Sequence, residues 1–251
     1  MLDEIVAHLD GILDNEAWAD IDGAVNGLQV ENSGEVDHVA FAVDACNETF
    51  DRCYEIGADM LVTHHGLLWG GLDSVTGQDY WRLRRLIEGD VALYASHLPL
   101  DAHGELGNNV LLLGELGCEL DERFGDVGGE RIGWIGELPE PLPLDDFAGR
   151  VEEAVDNEAE VVDGGPDEVE RVAAVTGSGS DFLADAADAG ADVLVSGEPK
   201  HRAYHDARER GIGAVFAGHY HTETFGVRAL RDRVDAAFDV ETSYVEAPTS
   251  F

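Results

Sequence analysis

The chain has 251 residues, 44% of them hydrophobic, which is enough for a sizeable core in one large domain or two modest ones. Its 53 acidic residues against 15 basic ones give a formal net charge of −38, which argues against nucleic acid as a partner because that needs a basic footprint. No apolar run approaches the length of a membrane span and no secretory leader pattern opens the chain, so a cytoplasmic protein with no membrane partner is the expectation.

Lys200 is the only lysine. An acidic, lysine-poor surface fits a halophilic organism, where roughly molar salt shortens the screening length to about 3 Å and removes most of the self-repulsion. Cys46, Cys53 and Cys118 are odd in number and widely spaced, which reads as free thiols.

In chain order, Leu2–Leu13 carries Ile5, Val6, Leu9, Ile12 and Leu13 on one stripe and reads as a helix. Gly23–Val30 reads as a loop leading into a short extended segment. His38–Val43 is a buried strand closed by Asp44, and Glu48–Ile56 a helix. Met60–Thr63 is a second buried strand with His64 and His65 at its exit. Tyr80–Glu88 is helical; Val91–Ser96 is a third strand, ending at His97; Asn108–Leu116 is a leucine-rich helix. From 121 to 166 glycine, proline and acidic residues cluster around a strand at Arg131–Ile135 and a helix at Leu144–Val155. A new series follows: strand Val169–Val175, the turn Thr176–Ser180 (TGSGS), helix Phe182–Ala189, strand Val193–Ser196, the GEPKH turn and a helix through Arg210. Strand Ile212–Ala217, helix Phe225–Val234 and strand Val240–Val245 complete it.

This alternation predicts an α/β fold with βαβ units and largely parallel sheets. Two interlinked lobes are expected. The first, 1–120, carries the double histidine and Asp101; the second, 121–251, carries His219 and Glu223, and its last strand is free to return to the first. In such sheets ligands sit beyond the carboxyl ends of the strands, and here those ends carry Asp44, His64 with His65, and His97 with Asp101.

Adjacent strand residues face opposite ways, so His64 and His65 share a target only if the backbone turns after them, as Gly66 permits. Asp101 in SHLPLDAH adds a carboxylate. His219 and Glu223 in GHYHTE, four residues apart, fall on one face of a helix whose first turn holds Glu223; His221 alternates away. Imidazole and carboxylate together make a mixed site for transition ions. Five such ligands (His64, His65, Asp101, His219, Glu223) exceed what one tetrahedral ion needs and suit two divalent ions a few ångströms apart. These donors allow Zn, Mn, Fe, Co or Ni. The amides of Thr176, Gly177, Ser178 and Gly179, with Lys200, are candidates for holding a phosphate.

Together NGLQV (Asn26–Val30), VTHHGLLWGG (Val62–Gly71), SHLPLDAHGELGNN (Ser96–Asn109), TGSGS, SGEPKHRAYHDARERG (Ser196–Gly211) and AGHYHTETFGVRAL (Ala217–Leu230) resemble the family of GTP cyclohydrolase 1 type 2 homologs, or NGG-interacting-factor-like proteins. The resemblance covers nearly the whole chain in order. It implies a dinuclear metal centre in the cleft between two lobes, held by the same five residues with the glutamate as bridge, and a toroidal homohexamer. His97 and His205 match further polar positions at the site and are the candidates for proton transfer. His221 departs from the pattern, where alanine is common. Three readings follow: a metal-dependent hydrolase of a small molecule, with opening of the purine imidazole ring of GTP as one reaction; a non-enzymatic metal-binding scaffold, chaperone or regulatory adaptor; and a metal-dependent phosphoesterase.

Overall fold

The computed structural model describes residues 1–72 and 74–250; Asp73 and Phe251, the end of the expected second lobe, lie outside them. The chain forms two compact units, Met1–Leu100 with Gly226–Ala247, and Asp101–Phe225 with the residues from Pro248 on.

The first unit opens with α1 (Leu2–Leu13) and α2 (Asn15–Trp18). α1 buries Leu2, Ile5, Leu9 and Leu13, one helical face at about 1.5–3 kcal/mol for each large side chain. It stops where Asp14 turns left-handed at φ 49°. β1 (Gly27–Val30), β2 (His38–Asp44), α3 (Asn47–Ile56), β3 (Met60–His65), α4 (Gly77–Glu88) and β4 (Ala92–Ala95) follow. The sheet runs β1-β4-β3-β2 and ends on the strand Glu241–Tyr244. All its pairs are parallel except β1 with β4. β2, β3 and β4 are almost continuously buried, as expected of central strands in a parallel sheet.

The short helix α5 (Leu98–Ala102) carries the chain into the second unit. There follow α6 (Asn108–Glu115), β5 (Glu119–Val127), β6 (Glu130–Pro143), α7 (Leu144–Val155), β7 (Glu160–Val162), β8 (Glu168–Ala174), α8 (Leu183–Asp188), β9 (Val193–Ser196), α9 (Ala203–Arg210), β10 (Gly213–Phe216) and α10 (His219–Thr222). α11 (Thr224–Ala237) returns to the first unit and leads into β11 (Glu241–Tyr244).

Two differences from the sequence reading stand out. The chain divides after Leu100, not after residue 120, because Leu112, Leu113 and Leu116 of the Asn108–Leu116 helix pack with Phe147, Val151 and Val172 of the second unit. Asp101 therefore belongs to the second unit. The second sheet, β5-β6-β8-β9-β10-β7, is parallel only across β8-β9-β10. β5 and β6 form an antiparallel hairpin because Gly128 and Gly129 both take positive φ, 63° and 100°, as a two-residue turn of this hand requires.

Candidate metal centre

In the first unit, β3 runs on through His65, yet the His64 and His65 rings lie only 4.6 Å apart, centroid to centroid. Gly66 does not take a positive φ. Its lack of a side chain serves room instead: a Cβ there would come within 2.7 Å of Ala95 Cβ and also strike the Gln29 amide. Gln29 Oε1 accepts the Leu67 and Leu68 amides at 2.8 and 3.2 Å and fixes the chain beyond the histidines.

His97 joins them. The three imidazoles of His64, His65 and His97 each offer a ring nitrogen within 4.8 Å of the others, a group that could hold a metal ion. Each ring has its Nδ1 committed. His64 Nδ1 donates to the Ser96 carbonyl at 3.0 Å. His65 Nδ1 meets Asp44 Oδ1 at 2.9 Å, and His97 Nδ1 meets Asp22 Oδ1 at 2.9 Å. A proton held on Nδ1 by an oxygen acceptor puts the ring lone pair on Nε2, the tautomer that metal-ligating histidines use.

Asp22 is held by more than His97. It also accepts the amides of Ala24 and Leu98 at 2.9 and 3.0 Å. Burial alone would raise its pKa, but the hydrogen bond and charge of His97, with the Ala24 amide and Asn26 side chain, outweigh that and hold it at about 2. Asn26 also accepts the His97 amide at 2.8 Å.

In the second unit Asp101 is buried. Its Oδ1 accepts Asn108 Nδ2 at 2.8 Å and Thr176 Oγ1 at 3.3 Å. Asn109 locks the surroundings: its amide donates to the Asp101 and Ile132 carbonyls, and its Oδ1 accepts the Thr176 amide. His219 opens α10 and Glu223 directly follows that four-residue helix, so the glutamate sits at its end and not in the first turn of α11. The i, i+4 spacing still brings them together, His219 Nε2 to Glu223 Oε2 at 3.2 Å. Glu198 Oε1 lies 3.3 Å from His219 Nδ1. Burial would lower the His219 pKa, but Glu223 and then Glu198 raise it to about 9. The Ser178 hydroxyl, donating to Glu198, is the main cause that lowers that carboxyl, with His219 adding to it.

His64, His65 and His97 of the first unit are thus a group that could hold a metal ion, and in the second unit Asp101 is set by Asn108 and Thr176 while His219 and Glu223 pair with each other. A model of the family described as Duf34/NIF3 (NGG1p interacting factor 3) matches residues 1–249. The chain belongs to this family. A Halobacterium salinarum protein named GTP cyclohydrolase 1 type 2 homolog is 48% identical over 232 residues, covering 91% of each chain. One of the same name from Archaeoglobus fulgidus is 42% identical over 249 residues, covering 99% of each. The crystal structure of TTHA1606 from Thermus thermophilus superposes with a TM-score of 0.90 at 40% identity, covering 99% of both chains.

The other residues singled out in this Duf34/NIF3 sequence have surroundings of their own. His205 is exposed on α9, whose buried face is Ala203 and Ala207, and its ring neighbours are Tyr204 and His201. Lys200 is half-exposed and pairs with Asp181. The Thr176 amide serves Asn109 and the Gly177 amide serves Thr222, so those two donors hold the turn together and are not turned to a phosphate. Gly177 makes room: at φ 59°, a Cβ would lie 3.0 Å from Glu223 Cδ and 3.1 Å from His219 Nε2. Ser178 bonds Glu198, and Gly179 opens a short 3-10 turn. His221 binds the Val155 carbonyl through Nδ1. Sequence reasoning missed Asp22, Asn108, Asn109 and Glu198. All but Asp22 lie in the motifs quoted above, but carboxamides and a surface glutamate carry no spacing signal of their own.

Proposed function

We propose that this protein is a hydrolase working with two divalent ions, held by His64, His65, Asp101, His219 and Glu223, with a purine nucleotide as substrate. The observation that carries the reading is that His64, His65 and His97 come together with each Nδ1 anchored on an oxygen, which leaves Nε2 as the donor atom a metal would take. The relatives' name, GTP cyclohydrolase 1 type 2 homolog, supports GTP as the first nucleotide to try. Zn, Mn, Fe, Co and Ni all suit the mixed nitrogen and oxygen donors.

When bound, such a pair supplies Lewis acidity and makes water acidic enough to be a nucleophile near neutral pH. His64 and His65 present Nε2, oriented by Ser96 and Asp44. Asp101, oriented by Asn108 and Thr176, and Glu223, paired with His219, would complete the set that holds the ions. His97, held by Asp22, accepts and returns a proton at Nε2. On GTP, water opens the imidazole ring at C8, and a second water frees that carbon as formate. The protein acts in the cytoplasm as a salt-adapted homohexamer, a reading supported by its charge, its single lysine and its family.

Metal-loaded protein incubated with GTP in molar salt is expected to release formate and ring-opened product above an Asp101→Ala control. No release above that control rejects GTP, and turnover of a generic phosphate ester in its place favours a phosphoesterase.

A further inference from the structure

Trp69 is 48% exposed, whereas Trp18 is 5% exposed. Its indole lies edge to face with His97, centroids 5.0 Å apart, and 6.2 Å from His65. The segment bearing it is held from several sides. Trp69 bridges Ala24 in antiparallel fashion. Its indole N–H donates to the Gly66 carbonyl at 3.2 Å. The Val25 amide donates to Leu68 and the Gly70 amide to Gly23, at 2.9 and 2.7 Å. Gln29 takes the two preceding amides.

A large apolar ring kept half in water on a well-anchored segment, next to imidazoles oriented for chemistry, is unexplained by packing. With its N–H already satisfied, the indole offers a ligand its π-face. In a chain of net charge −38, a phosphate meets a repelling field, and in molar salt ionic contacts are screened. Stacking on an aromatic face survives both conditions.

We propose that Trp69 is the platform on which the planar heterocycle of a nucleobase-class ligand stacks, making it a specificity-determining residue of the site. This rests on the hydrolase reading for the identity of the neighbouring imidazoles, but its test does not use turnover. Guanosine and ribose 5-phosphate are titrated into metal-loaded protein in molar salt, by calorimetry and by indole fluorescence, with Mn2+ titrated separately. Expected are guanosine binding with quenching in wild type, about tenfold weaker binding in Trp69→Ala (~1.4 kcal/mol), and near-wild-type binding in Trp69→Phe, with Mn2+ binding the same in all three. Equal guanosine affinity in Trp69→Ala and wild type overturns the proposal. So does wild type that prefers ribose 5-phosphate or binds no guanosine. Loss of Mn2+ binding in wild type strikes the metal reading alone.

Discussion

The carboxylate of Asp22, its side chain only 1% exposed, accepts a hydrogen bond from His97 Nδ1 at 2.9 Å. Its pKa, about 2 in the fold against the ordinary 3.8, links that contact to stability. The folded value is the lower one, so the contribution is complete above about pH 4 and is lost as pH falls toward 2. It amounts to roughly 2 kcal/mol. Asp22→Asn is expected to be less stable than wild type by an amount that is largest above pH 4 and shrinks toward pH 2. Denaturant unfolding in molar salt across this range checks it; a difference independent of pH counts against it.

Gly177→Ala separates crowding from backbone strain. Gly177 and Gly190 both take positive φ, 59° and 79°, but only at Gly177 would a Cβ meet neighbours, Glu223 and His219. Both alanine variants are expected to lose roughly 1 kcal/mol to strain. Only Gly177→Ala is expected to lose divalent affinity, at least about tenfold (~1.4 kcal/mol). Melting and calorimetric titration on the pair decide it.

Asn109 is fully buried and bonds the Asp101 carbonyl, the Ile132 carbonyl and the Thr176 amide. Asn109→Ala leaves these groups unpaired in the interior and is expected to cost roughly 2–4 kcal/mol. Unfolding by urea gives the number. A loss below about 0.5 kcal/mol would mean that the network is replaceable by water.

The surface charge predicts a salt response. Raising salt from roughly 0.1 M to 1 M shortens the screening length from about 10 Å to about 3 Å. For a chain of net charge −38, the melting temperature is expected to rise over that range, with KCl and NaCl acting alike. A flat or falling melting curve contradicts a salt-adapted surface.

Much of the fold was legible because burial left clear periods. The stripe of α1, the apolar runs of β2, β3 and β9, and α7 all announce themselves. β5 did not: Glu119–Val127 is mostly exposed and polar, and its pairing depends on the Gly128–Gly129 turn. β7, three residues long, offers no period to read. His64, His65, Asp101, His219 and Glu223 stood out because imidazole and carboxylate at strand ends are chemically loud. The groups that orient them were silent. Asp22 lies 75 residues from His97, Asn109 lies 67 from Thr176, and neither pairing exists before the chain folds. Gly66 was legible as a glycine, but its cause, the crowding by Ala95 and Gln29, belongs to tertiary packing.

The central claim is metal binding by His64, His65, Asp101, His219 and Glu223. Elemental analysis of protein purified without chelator or affinity metal tests it most directly, with wild type beside His65→Ala and Glu223→Gln. The account predicts two divalent ions per chain in wild type and loss of metal in each variant. Wild type carrying only traces of metal, or variants that keep the full complement, would contradict it.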